Sequence, residues 1–140
     1  MTCHHPIAFL AAVSLLACDS AAKVADAFTV DTSASSTVAT TGERGKLVVV
    51  LRPARSGWHI DPLAPVKVSF DAPAALRIEK AELSHKDALD PKSAQPRFET
   101  AFIATAPGRH KAKATVDLFL CSDNACVREA RTLTIDVSVR

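Results

Sequence analysis

From Arg44 onward, apolar and polar residues alternate along the chain with a period of two. Val66, Val68 and Phe70 alternate with Lys67, Ser69 and Asp71, and Phe98, Thr100, Phe102 and Ala104 form a second row. A third row, Ala112, Ala114, Val116, Leu118 and Leu120, alternates with Lys111, Lys113, Thr115, Asp117 and Phe119. A fourth joins Leu133, Ile135, Val137 and Val139. Successive side chains of a strand point to opposite faces, so each row predicts a strand with one face on a core and the other in water. Residues 46–51 differ, being short, almost wholly apolar and β-branched. Turn formers separate the runs: Pro53, Ser56-Gly57, Asp61-Pro62, Pro73, Asp90-Pro91, Pro96 and Pro107-Gly108. No window carries a helical period.

About seven short strands punctuated in this way predict an all-β fold, an antiparallel two-sheet β-sandwich of immunoglobulin-like size. The widely spaced Cys…Trp…Cys pattern of antibody domains is absent from the sequence. Residues 35–140 are assigned to this one domain, with a first edge strand expected around residues 36–40. The preceding stretch is Ala, Ser, Thr and Val with few large side chains, and residues 18–34 are expected to form a flexible tether.

Residues 7–17 are apolar apart from Ser14. At 1.5 Å per residue this run is far short of the ~20 residues that span a bilayer, but it suits the apolar core of an export signal. It ends in Leu15-Leu16-Ala17-Cys18, which resembles the lipobox of bacterial lipoproteins. That resemblance implies a signal peptide at 1–17, cleavage before Cys18, and lipid attachment at Cys18. Two acyl chains anchor stably where one is marginal. The expected location is the periplasmic face of a bacterial membrane, with a soluble periplasmic or secreted protein as the alternative. An exported domain can keep disulfides.

The net charge of +2, with both signs interspersed, gives no basis for a nucleic-acid partner. Arg109, Lys111 and Lys113 share one strand face and read as a solvated stripe. His59, His85 and His110 are widely separated and not spaced with the cysteines as a zinc site requires. With Met1 the only methionine, a methionine-rich copper site is excluded; copper(I) on two thiolates remains a minor option. No Gly-x-Ser-x-Gly hydrolase motif occurs. Neither a metal nor a cofactor is expected, and the domain is expected to be a monomer.

Of four cysteines, Cys3 lies in the signal and Cys18 at its end, which leaves Cys121 and Cys126. A hairpin through Ser122-Asp123-Asn124-Ala125 would set the two opposite each other, at a separation a disulfide accepts. Closing a loop of about six residues stabilises by about 2 kcal/mol. The bond can thus be structural, or it can open in redox work without unfolding a domain that builds its own core. In a strand, Arg128 falls on the face of Cys126, where a guanidinium would favour its thiolate, and Asp123 in the turn would oppose this.

The ordered set Gly57-Trp58-His59-Ile60, Val66-Lys67-Val68-Ser69-Phe70, Phe98-Glu99-Thr100-Ala101-Phe102 and Cys121-Ser122-Asp123-Asn124-Ala125-Cys126 resembles the N-terminal periplasmic domain of the DsbD thiol:disulfide interchange family. The likeness covers about residues 45–139. It implies an immunoglobulin-like sandwich that moves electrons by thiol–disulfide exchange, with Cys126 forming the mixed disulfide and Cys121 resolving it. The partners implied are separate membrane or periplasmic thiol–disulfide proteins. A cap loop over the cysteines would fall, by position, at residues 85–92. Beside this stands the other reading, a non-enzymatic binding or assembly lipoprotein whose hairpin disulfide is structural.

Overall fold

The alternating rows become the inner faces of two β-sheets in a computed structural model, which describes residues 27–140. The expected signal peptide, Cys18 and the first part of the tether lie outside the described residues. One sheet joins β1 (Phe28–Asp31), β3 (Arg44–Pro53), β8 (Arg97–Ala104) and β6 (Leu76–Ile78), in that spatial order. The other runs β2 (Val38–Ala39), β10 (Cys126–Val139), β9 (Gly108–Cys121), β5 (Lys67–Asp71) and β7 (Glu82–Ser84), with β4 (His59–Ile60) beside the end of β9. No helix among the described residues is long and apolar enough to cross a membrane.

The core is the meeting of the two inner faces. Leu47, Val49, Leu51, Phe98 and Phe102 come from the first sheet, and Val68, Phe70, Ala114, Val116, Leu118 and Leu120 from the second. Thr100 is the polar member of its row, and its hydroxyl donates to the Lys80 carbonyl at 2.7 Å, so its burial leaves no polar group unpaired. Gly45 faces Phe102 across the β3–β8 ladder, and a Cβ there would stand 2.3 Å from the Phe102 ring. The bulk of Phe102 thus requires glycine opposite it.

Three features depart from the expected pattern. Among the described residues the ladders are antiparallel except one: β2 pairs parallel with β10 through Val38↔Ser138 and Ala39↔Val139. These partners are far apart in sequence, so no hairpin dictates their direction. Next, the expected tether contains a strand. Phe28–Asp31 pairs with β3 from Phe28↔Pro53 to Asp31↔Val50, and Phe28 is fully buried. The Arg131 guanidinium lies 3.9 Å from the Phe28 ring centroid and donates to the Phe28 carbonyl at 2.7 Å. The composition of residues 18–34 is too poor in large side chains to show a strand whose partners lie elsewhere. Finally, the apolar run in β3 is buried on both faces. Beyond β1, the Ser35 hydroxyl accepts from Val48 N–H at 2.8 Å and donates to Val48 C=O at 3.2 Å, acting as a substitute strand partner.

Candidate functional site

β9 and β10 form one long hairpin whose ladder runs from Cys126↔Cys121 to Val139↔Gly108. Its turn is closed by Ser122 N–H donating to Ala125 C=O at 2.8 Å. The expected disulfide is present, with the two Cα atoms 4.0 Å apart. Leu118 and Leu120 point into the core, so Cys121, one residue on, points outward with Phe119 and Asp117. The bond therefore sits on the outer face at the end of the second sheet, outside the core. It is asymmetric: Cys121 is only 4% exposed, whereas Cys126 is open to solvent.

Neighbouring chain covers Cys121. Gly57, at φ +83°, turns the backbone, and half-buried Trp58 packs on the core. The next residues enter β4, which sets His59 opposite Cys121 and Ile60 opposite Leu120. Asp61 N–H then donates to Phe119 C=O at 3.4 Å. This brings Asp61 Oδ2 to 3.7 Å from Cys121 Sγ. The sulfur is bonded to Cys126 and has no proton to donate, so this is a carboxylate against a disulfide rather than a hydrogen bond. The other carboxylate oxygen, Oδ1, accepts from Leu63 N–H at 2.8 Å and holds the side chain in place.

Sequence reasoning missed Asp61 and His59. Asp61-Pro62 read as a turn, and the three histidines as widely separated and not spaced with the cysteines for zinc; the β4–β9 register adds that His59 is the cross-strand neighbour of Cys121. Donor atoms of Asp61, Cys121 and Cys126 all lie within 4.8 Å of one another. Two sulfurs and a carboxylate could ligate a thiophilic ion only after the disulfide is reduced, because thiolates are the ligands.

Arg128 lies on the outward face with Cys126, as its spacing implied, but its charge is committed elsewhere. Nε donates to Asp117 Oδ1 at 2.8 Å, and a second guanidinium nitrogen bonds Oδ2. The hydrogen bonds from Arg128, then its charge, hold the Asp117 carboxyl below the usual carboxylate range, and the same pairing raises Arg128. Asp123 is exposed in the turn. The fixed charge set directly against the sulfurs is the Asp61 carboxylate. Arg128, Asp117 and Phe119, with Pro65 and Lys67, line a shallow groove beside the disulfide.

The proposed cap segment begins as a 3-10 turn, His85–Asp87, after β7. β5 stands between β7 and β9, so the chain lying beside Cys121 is the β4–Asp61 segment instead. Of the basic stripe, Lys111 pairs with Asp136 at 3.0 Å in an exposed contact.

No protein-family model matches this sequence, and no curated protein matches it either. Among solved structures, a conjugative transposon lipoprotein from Bacteroides eggerthii aligns at 10% identity and TM-score 0.45, over 79% of this chain and 96% of that one. The CARDB domain of a Pyrococcus furiosus protein in complex with di-metal ions aligns at 19% identity and TM-score 0.46, over 81% and 87%. A lipoprotein from Bacteroides thetaiotaomicron aligns at 15% and 0.41, over 79% and 78%. The sandwich assignment rests on the strand ladders themselves.

Proposed function

We propose that this protein is an extracytoplasmic, lipid-tethered binding or assembly domain in which the Cys121–Cys126 bond is a structural clamp on the β9–β10 hairpin. The observation that carries this reading is the charge around the sulfurs. Reactive cysteines work from electropositive, accessible surroundings, where a thiolate is stabilised. Here a carboxylate stands 3.7 Å from Cys121 Sγ, and the cation expected to favour Cys126 is bound to Asp117. A thiolate formed at this site would meet like charge. The export signal and Cys18, with the exposed outer faces of the sandwich, suit a domain held at a membrane surface to bind other molecules.

A second reading, thiol–disulfide interchange, is favoured by the unequal burial of the two sulfurs. In the reduced pair, the exposed Cys126 thiolate would attack a partner's disulfide, forming a mixed disulfide and releasing one partner sulfur as a thiolate. Cys121, as a thiolate, would then attack the Cys126 sulfur, close the internal bond and expel the partner's second thiolate, so that two electrons pass to the partner. This is the chemistry implied by the resemblance to the DsbD N-terminal domain.

Equilibration of the purified protein with glutathione and dithiothreitol buffers separates the two readings. A reduction potential below about −300 mV is expected for a structural clamp, whereas about −120 to −270 mV would replace that reading with interchange.

A further inference from the structure

β10 is an edge strand for most of its length. β9 lies along one side of it, and on the other side β2 pairs only with Ser138 and Val139. Among the described residues, no strand occupies that side of β10 over residues 126–137. Open backbone of this length is a template for another strand, and native proteins guard such edges with charges turned inward. β10 carries two on its inward face, Glu129 and Arg131, both half-buried and flanked by half-buried Val127 and Leu133. Arg131 reaches Phe28. Glu129 has no ion-pair or hydrogen-bond partner among the described residues.

We infer that this edge pairs with the same edge of a second copy, antiparallel, about a two-fold axis at Ala130. The register follows from the charges. Pairing must keep inward residues opposite inward ones, because a one-residue slip in register turns the facing side chains to opposite faces. Centring the axis on Glu129 sets Glu129 against itself, and centring it on Arg131 sets Arg131 against itself; like charges directly opposite are destabilising. Centring it on Ala130 sets Glu129 of each copy opposite Arg131 of the other. The same register places Val127 opposite Leu133 and covers both half-exposed apolar side chains. On the outward face Ala130 meets Ala130, Arg128 meets Thr132 and Cys126 meets Thr134, so no like charges face each other. Arg131 has five N–H donors and can keep its bond to Phe28 while pairing with Glu129 of the second copy.

The inward charges thus act as a selectivity device, discouraging promiscuous edge pairing and favouring the one symmetric register that sets each inward charge opposite its counter-charge. A symmetric dimer replaces the monomer expected from the sequence. The inference goes beyond the binding reading and does not depend on it: a dimer is compatible with either reduction potential, and a monomer with a potential below about −300 mV would sink this inference alone.

The test uses the full chain in neutral detergent with the native disulfide intact. Ala130→Cys is expected to form an intermolecular disulfide under mild oxidation, because its Cβ faces its own copy across the axis. Thr132→Cys, exposed on the same strand, should fail to cross-link to itself because its partner is Arg128. Both sites are on the surface, so both variants fold. In sedimentation at about 10 μM to about 1 mM, a range suited to an interface of this small size, wild type should dimerise. E129R alone and R131E alone should each lose about tenfold or more in self-association. Their equimolar mixture should recover it, since every facing pair again joins opposite charges. A folded Ala130→Cys protein that stays monomeric would overturn the inference, as would E129R associating like wild type. Coverage of the edge by residues 1–26 or by an unrelated protein would appear as that monomeric result.

Discussion

Replacing Cys121 and Cys126 together by alanine tests whether the disulfide is a local clamp or a support of the whole sandwich. The two are separated by 5 in sequence, and closing a loop of about six residues contributes about 2 kcal/mol through the unfolded chain. The folded state adds little to that figure. Both sulfurs are on the outer face, so their loss opens no core cavity, and the ladder from Val127↔Leu120 to Val139↔Gly108 needs no covalent help. In a domain of this size about 2 kcal/mol lowers the melting temperature by about 8 °C. The serine pair should recover about 1 kcal/mol, because a hydroxyl at position 121 can donate to the Asp61 carboxylate that now touches sulfur. Thermal unfolding followed by circular dichroism at neutral pH, for wild type and both double variants, reads these differences directly. A fall of more than about 20 °C, well beyond what about 2 kcal/mol can produce, would refute the view of the bond as local. A serine pair no more stable than the alanine pair would instead refute the Asp61 contribution, since the carboxylate would then have no bonding geometry to offer.

Other consequences are open to measurement. Gly45→Ala drives a methyl into the Phe102 ring and should destabilise by about 1–3 kcal/mol, seen as an earlier urea midpoint. Asp61→Asn removes the charge that repels an incoming thiolate, and reduction by glutathione should quicken several-fold, with the advantage shrinking in high salt; an unchanged rate would mean the carboxylate exerts no such repulsion. Acid should weaken the fold in a defined window. Hydrogen bonds from Ser33, then Arg52, hold Asp31 at about 2, and Lys80 with Ser84 holds Asp87 at about 2, against an ordinary 3.8. Carboxyls with lowered folded-state values stabilise above pH 4 and lose that contribution as pH falls from about 4 to about 2. A double Asp31→Asn/Asp87→Asn variant should show a flatter melting curve against pH across that interval.

Much of this architecture was legible along the chain because it is local. Period-two alternation marks which side chains of β5, β8, β9 and β10 face the core, and a short polar turn between two such runs brings Cys121 against Cys126. A hairpin needs no information from elsewhere to set its partner. The same reasoning could not find β1, because Phe28 is buried only by pairing with β3 and by Arg131, residues far along the sequence.

The chemistry of the site depended on still less local facts. Whether Arg128 serves Cys126 or Asp117 is decided by which outward side chains become neighbours across the hairpin. Whether Cys121 meets a carboxylate is decided by the register of two-residue β4 on β9, more than fifty residues away in sequence. Among the described residues, β10 likewise keeps an open edge because β2 pairs at its far end and stops. Alternation and turn chemistry are properties of neighbours along the chain, so the sequence alone determined the strands, their inner faces and the cysteine pair. Register and edge exposure arise from packing distant strands together, and that packing decided what surrounds the pair and what remains free to bind.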